Sequence, residues 1–84
     1  MSLRNKILEL LTEHLEASEV DVIDESAGHV EHSATGAHFF VHIVSPKFTG
    51  KTRLERHQMV YEVLKDEMRE SIHALRIRAL STED

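Results

Sequence analysis

The sequence predicts a mixed α/β (α+β) domain in the order α-β-β-α-β, with a three-stranded mixed sheet covered by helices on one face. Three observations predict it. Residues 38–45, HFFVHIVS, alternate with period two, so Phe39, Val41 and Ile43 share one face and His38, Phe40, His42 and Val44 the other. Residues 52–70 carry apolar side chains at helical spacing behind Thr52 and Glu55, the pattern of a capping box. Residues 72–80, IHALRIRAL, alternate again. A strand, helix and strand of this length form a right-handed crossover between parallel strands.

Taken in order, Leu3, Ile7, Leu8, Leu11 and Leu15 make a helical stripe with Leu10 at its margin, predicting a first helix from about Leu3 to Ala17. Glu19–Val22 then reads as a short strand with Val20 and Val22 on one face, and Ile23 follows it. Residues 26–37, SAGHVEHSATGA, hold two of the three glycines together with His29 and His32. They form a loop, long for a hairpin, and long ordered loops often carry function. Beyond the second strand, Pro46 cannot donate to a ladder, so that strand stops near Ser45. Gly50 marks a turn. Leu54, Val60, Tyr61, Leu64 and Met68 are the expected buried stripe of the second helix. In the last strand His73, Leu75, Ile77 and Ala79 are expected on one face, with Arg76 and Arg78 on the other. The polar tail, residues 81–84, is expected to fray.

Eighty-four residues make a single domain, 1–84. With no cysteine the chain has neither a disulfide nor a thiolate ligand of its own. No apolar run approaches a membrane span and the start lacks a secretory core, so the expected location is cytoplasmic, with no membrane partner. The net charge of −5 is unevenly laid out. Between Ile7 and Pro46 there are eight acids and no Lys or Arg; Lys47, Lys51, Arg53 and Arg56 then arrive together. A basic turn opening a helix suits phosphate, and it equally suits a solvated turn.

Seven histidines are the most unusual feature of the composition. The topology puts His29, His32, His38 and His73 at one end of the sheet, and His57, early in the second helix, at the other. His42 lies four residues along from His38, about 13 Å at strand rise, too far to share an ion with it. His14 and His42 read as surface residues, and His57 as a half-buried, hydrogen-bonded packing residue. The rim histidines, His29 and His73 above all, are candidate metal ligands. Enzymatic motifs are missing. SPKFTGKT ends like a phosphate-binding P-loop, but Ser45 stands where its first glycine is needed. There is no G-x-S-x-G elbow, His29 and His32 are not an H-E-x-x-H pair, and no G-x-x-G clamp for RNA exists.

HF at His38–Phe39, IVS with FTG at Ile43–Gly50, RHxMVY at Arg56–Tyr61 and IHAL at Ile72–Leu75 resemble the BolA family, as does Asp24-Glu25-Ser26 before a histidine-bearing loop. The likeness runs from Leu3 to Glu83. It implies a class II KH-like fold without the G-x-x-G loop, and a binding partner rather than a reaction. BolA-like proteins bind monothiol glutaredoxins and share a [2Fe–2S] cluster with them and with glutathione. The resemblance maps the histidine ligands onto His73 and His29, with His32 as a substitute for the latter. Imidazole can replace thiolate on one iron of such a cluster. The alternative that the family suggests is a nucleic-acid-binding transcription regulator, touching DNA through Lys47, Lys51, Arg53, Arg56, Arg76 and Arg78. A third is a zinc or copper carrier using His29, His32 and His73. A weak homodimer is also compatible with the sequence.

Overall fold

The computed structural model describes residues 2–25 and 37–84. The first helix, α1 (Leu3–His14), is capped by the Ser2 hydroxyl, which accepts from the Asn5 N–H at 3.1 Å. It ends three residues before Ala17, where Glu16 takes a left-handed φ of 49°. Strand β1 (Glu19–Asp24) pairs antiparallel with β2 (Ala37–Val44), and β2 pairs parallel with β3 (Ile72–Leu80), in the order β1-β2-β3. This is the predicted topology. A single 3-10 turn, Pro46–Phe48, leads to α2 (Arg53–Val63) and α3 (Lys65–Glu70). The capping box is present: Glu55 N–H donates to the Thr52 hydroxyl at 3.1 Å and Thr52 N–H to the Glu55 carboxylate at 2.8 Å. The Thr52 backbone donor holds Glu55 below the usual carboxylate range.

Phe39, Val41 and Ile43 are buried against Ile7 and Leu11 of α1 and Val60 of α2, so the helices cover the predicted face. Val22 joins them from β1, directly opposite Val41. Among the described residues, no helix is long and apolar enough to cross a membrane.

Several local expectations are corrected. The second helix is kinked into α2 and α3 at Leu64 (φ −101°, ψ 16°). Leu64 N–H still donates to Val60 O and Met68 N–H to Leu64 O, so the hydrogen-bond ladder runs through the kink. With no Pro or Gly there, nothing local announces it. Leu54 and Tyr61 are exposed rather than buried; Val60 and Leu64 form the stripe, with Met59, Val63 and Met68 on its flanks. Phe48, in the turn, is fully buried and completes the core.

The tail does not fray. Asp84 accepts from the Arg56 guanidinium at 2.6 Å and from the Ser81 N–H and hydroxyl at 3.0 and 2.8 Å. Arg56 also donates to the carbonyls of Ala79 and Lys51, each at 3.1 Å. The guanidinium and the Ser81 donors together hold Asp84 well below the usual carboxylate range. Close by, the buried Ser45 hydroxyl donates to Leu15 O at 2.5 Å and accepts from Lys47 N–H at 3.0 Å. Its own N–H donates to Leu80 O. One serine thus joins the end of α1, the end of β2 and the end of β3.

Candidate metal centre

The opposite end of the sheet holds the candidate ligands, and the ladder there is irregular. Ala37 pairs with Ile72 but His38 pairs with Ala74, so His73 is an extra residue in β3. Period two would place His73 with Leu75 on the core side. The bulge instead lets both Ile72 and Leu75 pack into the core and turns His73 out to solvent. That corrects the expected face of His73. It also brings the His73 ring against His38, centroid to centroid 5.1 Å and tilted by 39°.

His38 is held directly, and His73 through its neighbours Ile72 and Ala74, which pair with Ala37 and His38. Ala37 N–H donates to Ser71 O at 3.0 Å, just ahead of β3, and Glu25 N–H donates to His38 O at 2.7 Å. Glu25 is the last described residue before the loop that carries His29 and His32, and Ala37 the first after it. Both ends of that loop therefore lie within a rung or two of His38 and His73. His29 and His32 themselves lie outside the described residues.

Arg76 fixes the margin of this end. Its guanidinium lies 4.9 Å from the Phe40 ring centroid and meets both Glu25 carboxylate oxygens, at 3.2 and 2.7 Å. The Glu25 carboxylate raises the Arg76 pKa further, so the guanidinium is a fixed charge. Sequence reasoning missed this pair, because residues 25 and 76 meet only once the register of all three strands is known.

Of the six basic residues in the nucleic-acid alternative, three are engaged. Arg56 holds the tail, Arg76 holds Glu25, and Lys47 lies 3.4 Å from the Glu16 carboxylate. Lys51, Arg53 and Arg78 are exposed and make no ion pair among the described residues. His57 is half-buried as expected, beside Arg53, Arg78 and Leu80 at the far end of β3. Among the described residues nothing hydrogen-bonds its ring. His42 is not a free surface residue: its Nε2 lies 2.9 Å from Glu19 Oε2. Period two along β1, applied together with the antiparallel pairing, would have found that contact.

An imidazole can bind a cluster iron when its ring nitrogen is accessible and its backbone held. His73 is exposed and the residues on either side of it, Ile72 and Ala74, are paired to β2, so the described half of the expected donor set fits an iron–sulfur ligand.

Comparison with known proteins agrees with the architecture. The family model for BolA-like protein matches residues 11–84. The UV-induced protein uvi31 of Schizosaccharomyces pombe is 35% identical, over 100% of this chain and 89% of its own length. The DNA-binding transcriptional regulator BolA of Escherichia coli is 33% identical, over 100% of this chain and 80% of its own. Among solved structures, the BolA domain of SufE1 from Arabidopsis thaliana superposes with a TM-score of 0.89 at 36% identity, covering 99% of this chain and 95% of that one. With a family match over most of its length and relatives aligned along the whole of this chain, the chain belongs to the BolA family.

Proposed function

We propose that the chain is a non-catalytic partner of a monothiol glutaredoxin and lends histidine ligands to a [2Fe–2S] cluster that the pair shares with glutathione. The observation that carries this reading is the bulge at His73. An extra residue in the edge strand β3 turns one imidazole out to solvent while Ile72 and Leu75 stay packed on the core. His73 supplies one ring nitrogen from a fixed position. His29, or His32 in its place, supplies the second from the loop whose ends flank His38. The partner and glutathione supply the thiolates that a cysteine-free chain lacks. When bound, the cluster supplies electron transfer or a deliverable iron–sulfur unit, with imidazole raising its potential over an all-thiolate cluster.

The test mixes the purified chain with a monothiol glutaredoxin, glutathione, iron and sulfide, and records the visible spectrum and the native mass. The expected product is a heterocomplex whose spectrum differs from that of the glutaredoxin alone. His73→Ala should abolish that difference and His29→Ala weaken it, in complexes whose mass proves them assembled. An unchanged spectrum in the His73→Ala complex removes the reading.

The printed name of the Escherichia coli relative favours a second reading, DNA binding. Lys51, Arg53 and Arg78 are the basic residues best placed to meet phosphate, since the other three already hold carboxylates. Three phosphate contacts imply a slope of log affinity against log salt of roughly −3. A flat salt titration on duplex DNA would dismiss it.

A further inference from the structure

The open face of the sheet carries a second group of donor atoms, away from the histidine rim. Asp21 and His42 are direct partners across the β1–β2 ladder. Glu19 lies two residues before Asp21, on the same face of β1. Its Oε2 is 2.9 Å from His42 Nε2. One donor atom from each of the three residues lies within 4.8 Å of the other two. We propose that Glu19, Asp21 and His42 form a site for one divalent transition-metal ion of the zinc type, separate from the cluster ligands and independent of any partner protein.

The argument starts from the donor set. One imidazole and two carboxylates are a nitrogen–oxygen set that borderline ions such as zinc favour. At metal–ligand bonds of about 2.1 Å, donors around one ion stand about 3.4–4.2 Å apart. A spread of 4.8 Å therefore closes with side-chain shifts of about 1 Å. The two acids are exposed and can make that shift, while the ladder fixes the backbone beneath all three. The short contact between His42 and Glu19 holds a proton between nitrogen and oxygen. A divalent ion can take that proton's place, the proton passing to solvent, and Asp21 then balances the added charge. A remaining position faces solvent and is filled by water.

The surroundings select among ions. Arg4 and Arg78 line the same recess as Asp21 and His42, and Arg78 is His42's partner on the other ladder. These guanidiniums oppose a hard cation attracted by charge alone. Zinc meets the same repulsion, but its coordinate bond to imidazole, which magnesium does not favour, offsets it. The expected ligand is thus zinc rather than magnesium. His42 and His38 are about 13 Å apart along β2, so the two centres do not share ligands.

The test uses the full chain alone, labelled with nitrogen-15 and without glutaredoxin or glutathione, titrated with zinc chloride or magnesium chloride. Zinc should shift the amides of residues 19–22 and 41–43 to saturation, in the wild type and in His73→Ala alike. His42→Gln and Asp21→Asn should each raise the midpoint at least tenfold, with the remaining spectrum confirming that they fold. Magnesium at the same concentrations should leave these amides in place. Zinc shifts confined to the loop end of the sheet would overturn the proposal. So would an unchanged midpoint in His42→Gln, or equal shifts with magnesium. None of these outcomes bears on cluster assembly with glutaredoxin.

Discussion

At its C-terminal end β3 is held from several directions. Ser45 N–H takes the Leu80 carbonyl, Arg56 takes the Ala79 carbonyl, and Asp84 folds back onto Arg56 and Ser81. At its N-terminal end the same strand carries an exposed imidazole on a bulge, beside a second imidazole and next to the loop. Polar groups at the first end are satisfied within the chain. At the second end a good ligand nitrogen is left where another molecule can reach it. The contrast is between an end of the strand that its own chain closes and an end that carries an exposed imidazole, where the proposed recognition would take place. A substitution should disturb one without the other.

The core beneath both ends sets the scale. Phe39 is fully buried on the covered face, and Phe39→Ala should cost about 3–5 kcal/mol by chemical denaturation, erasing the contrast because both ends rest on it. At the clamped end, Ser45→Ala leaves the Leu15 carbonyl and the Lys47 N–H without the hydroxyl and should cost about 1–3 kcal/mol. A melting curve like that of the wild type would mean the serine joint is not a clamp.

The tail should respond to acid. Asp84's carboxyl is held low in the folded chain, so its stabilisation is fully present above the ordinary carboxylate pKa of about 4 and is lost as pH falls below it. Wild type and Asp84→Asn should therefore differ in melting temperature at pH 7 and converge on acidification. The gap should narrow steadily as pH falls from about 4 towards 2, and a gap at pH 2 as large as that at pH 7 would show that the clamp does not depend on the carboxylate's charge. The smallest effect on stability belongs to the other end. His73→Ala should lie within about 0.5 kcal/mol of wild type, as exposed substitutions do. A loss beyond about 2 kcal/mol would mean that His73 is structural and that the two ends are not distinct.

Much of this was legible in the sequence because it follows from period alone. Alternation in β2 identified the covered face, and Pro46 marked where the strand had to stop. The capping box located the start of α2 to the residue. What escaped depends on tertiary register. Phe48 looked like a turn residue until the core closed over it. Leu54 fits a helical stripe by spacing, but the axis of α2 turns it to solvent. The tail looked free because its partner, Arg56, is 28 residues away. The bulge was hidden because IHALRIRAL alternates well enough to suggest a regular strand. The pairing register, together with the packing of both Ile72 and Leu75, reveals the extra residue.

That extra residue also bears on how such a site can change. β2 has eight residues and β3 nine, and the surplus one is His73. Without it, Ile72, Ala74 and Leu75 would follow one another in unbroken alternation and the ladder would close in register. The exposed imidazole therefore rides on a position that the hydrophobic pattern does not count. Cysteine, aspartate or glutamine could stand there without asking anything of the core. Removing the residue outright should leave a regular strand in a chain that still folds. The donor and the scaffold are thus separable, and the chemistry of this edge can be rewritten one residue at a time while the domain beneath it stays the same.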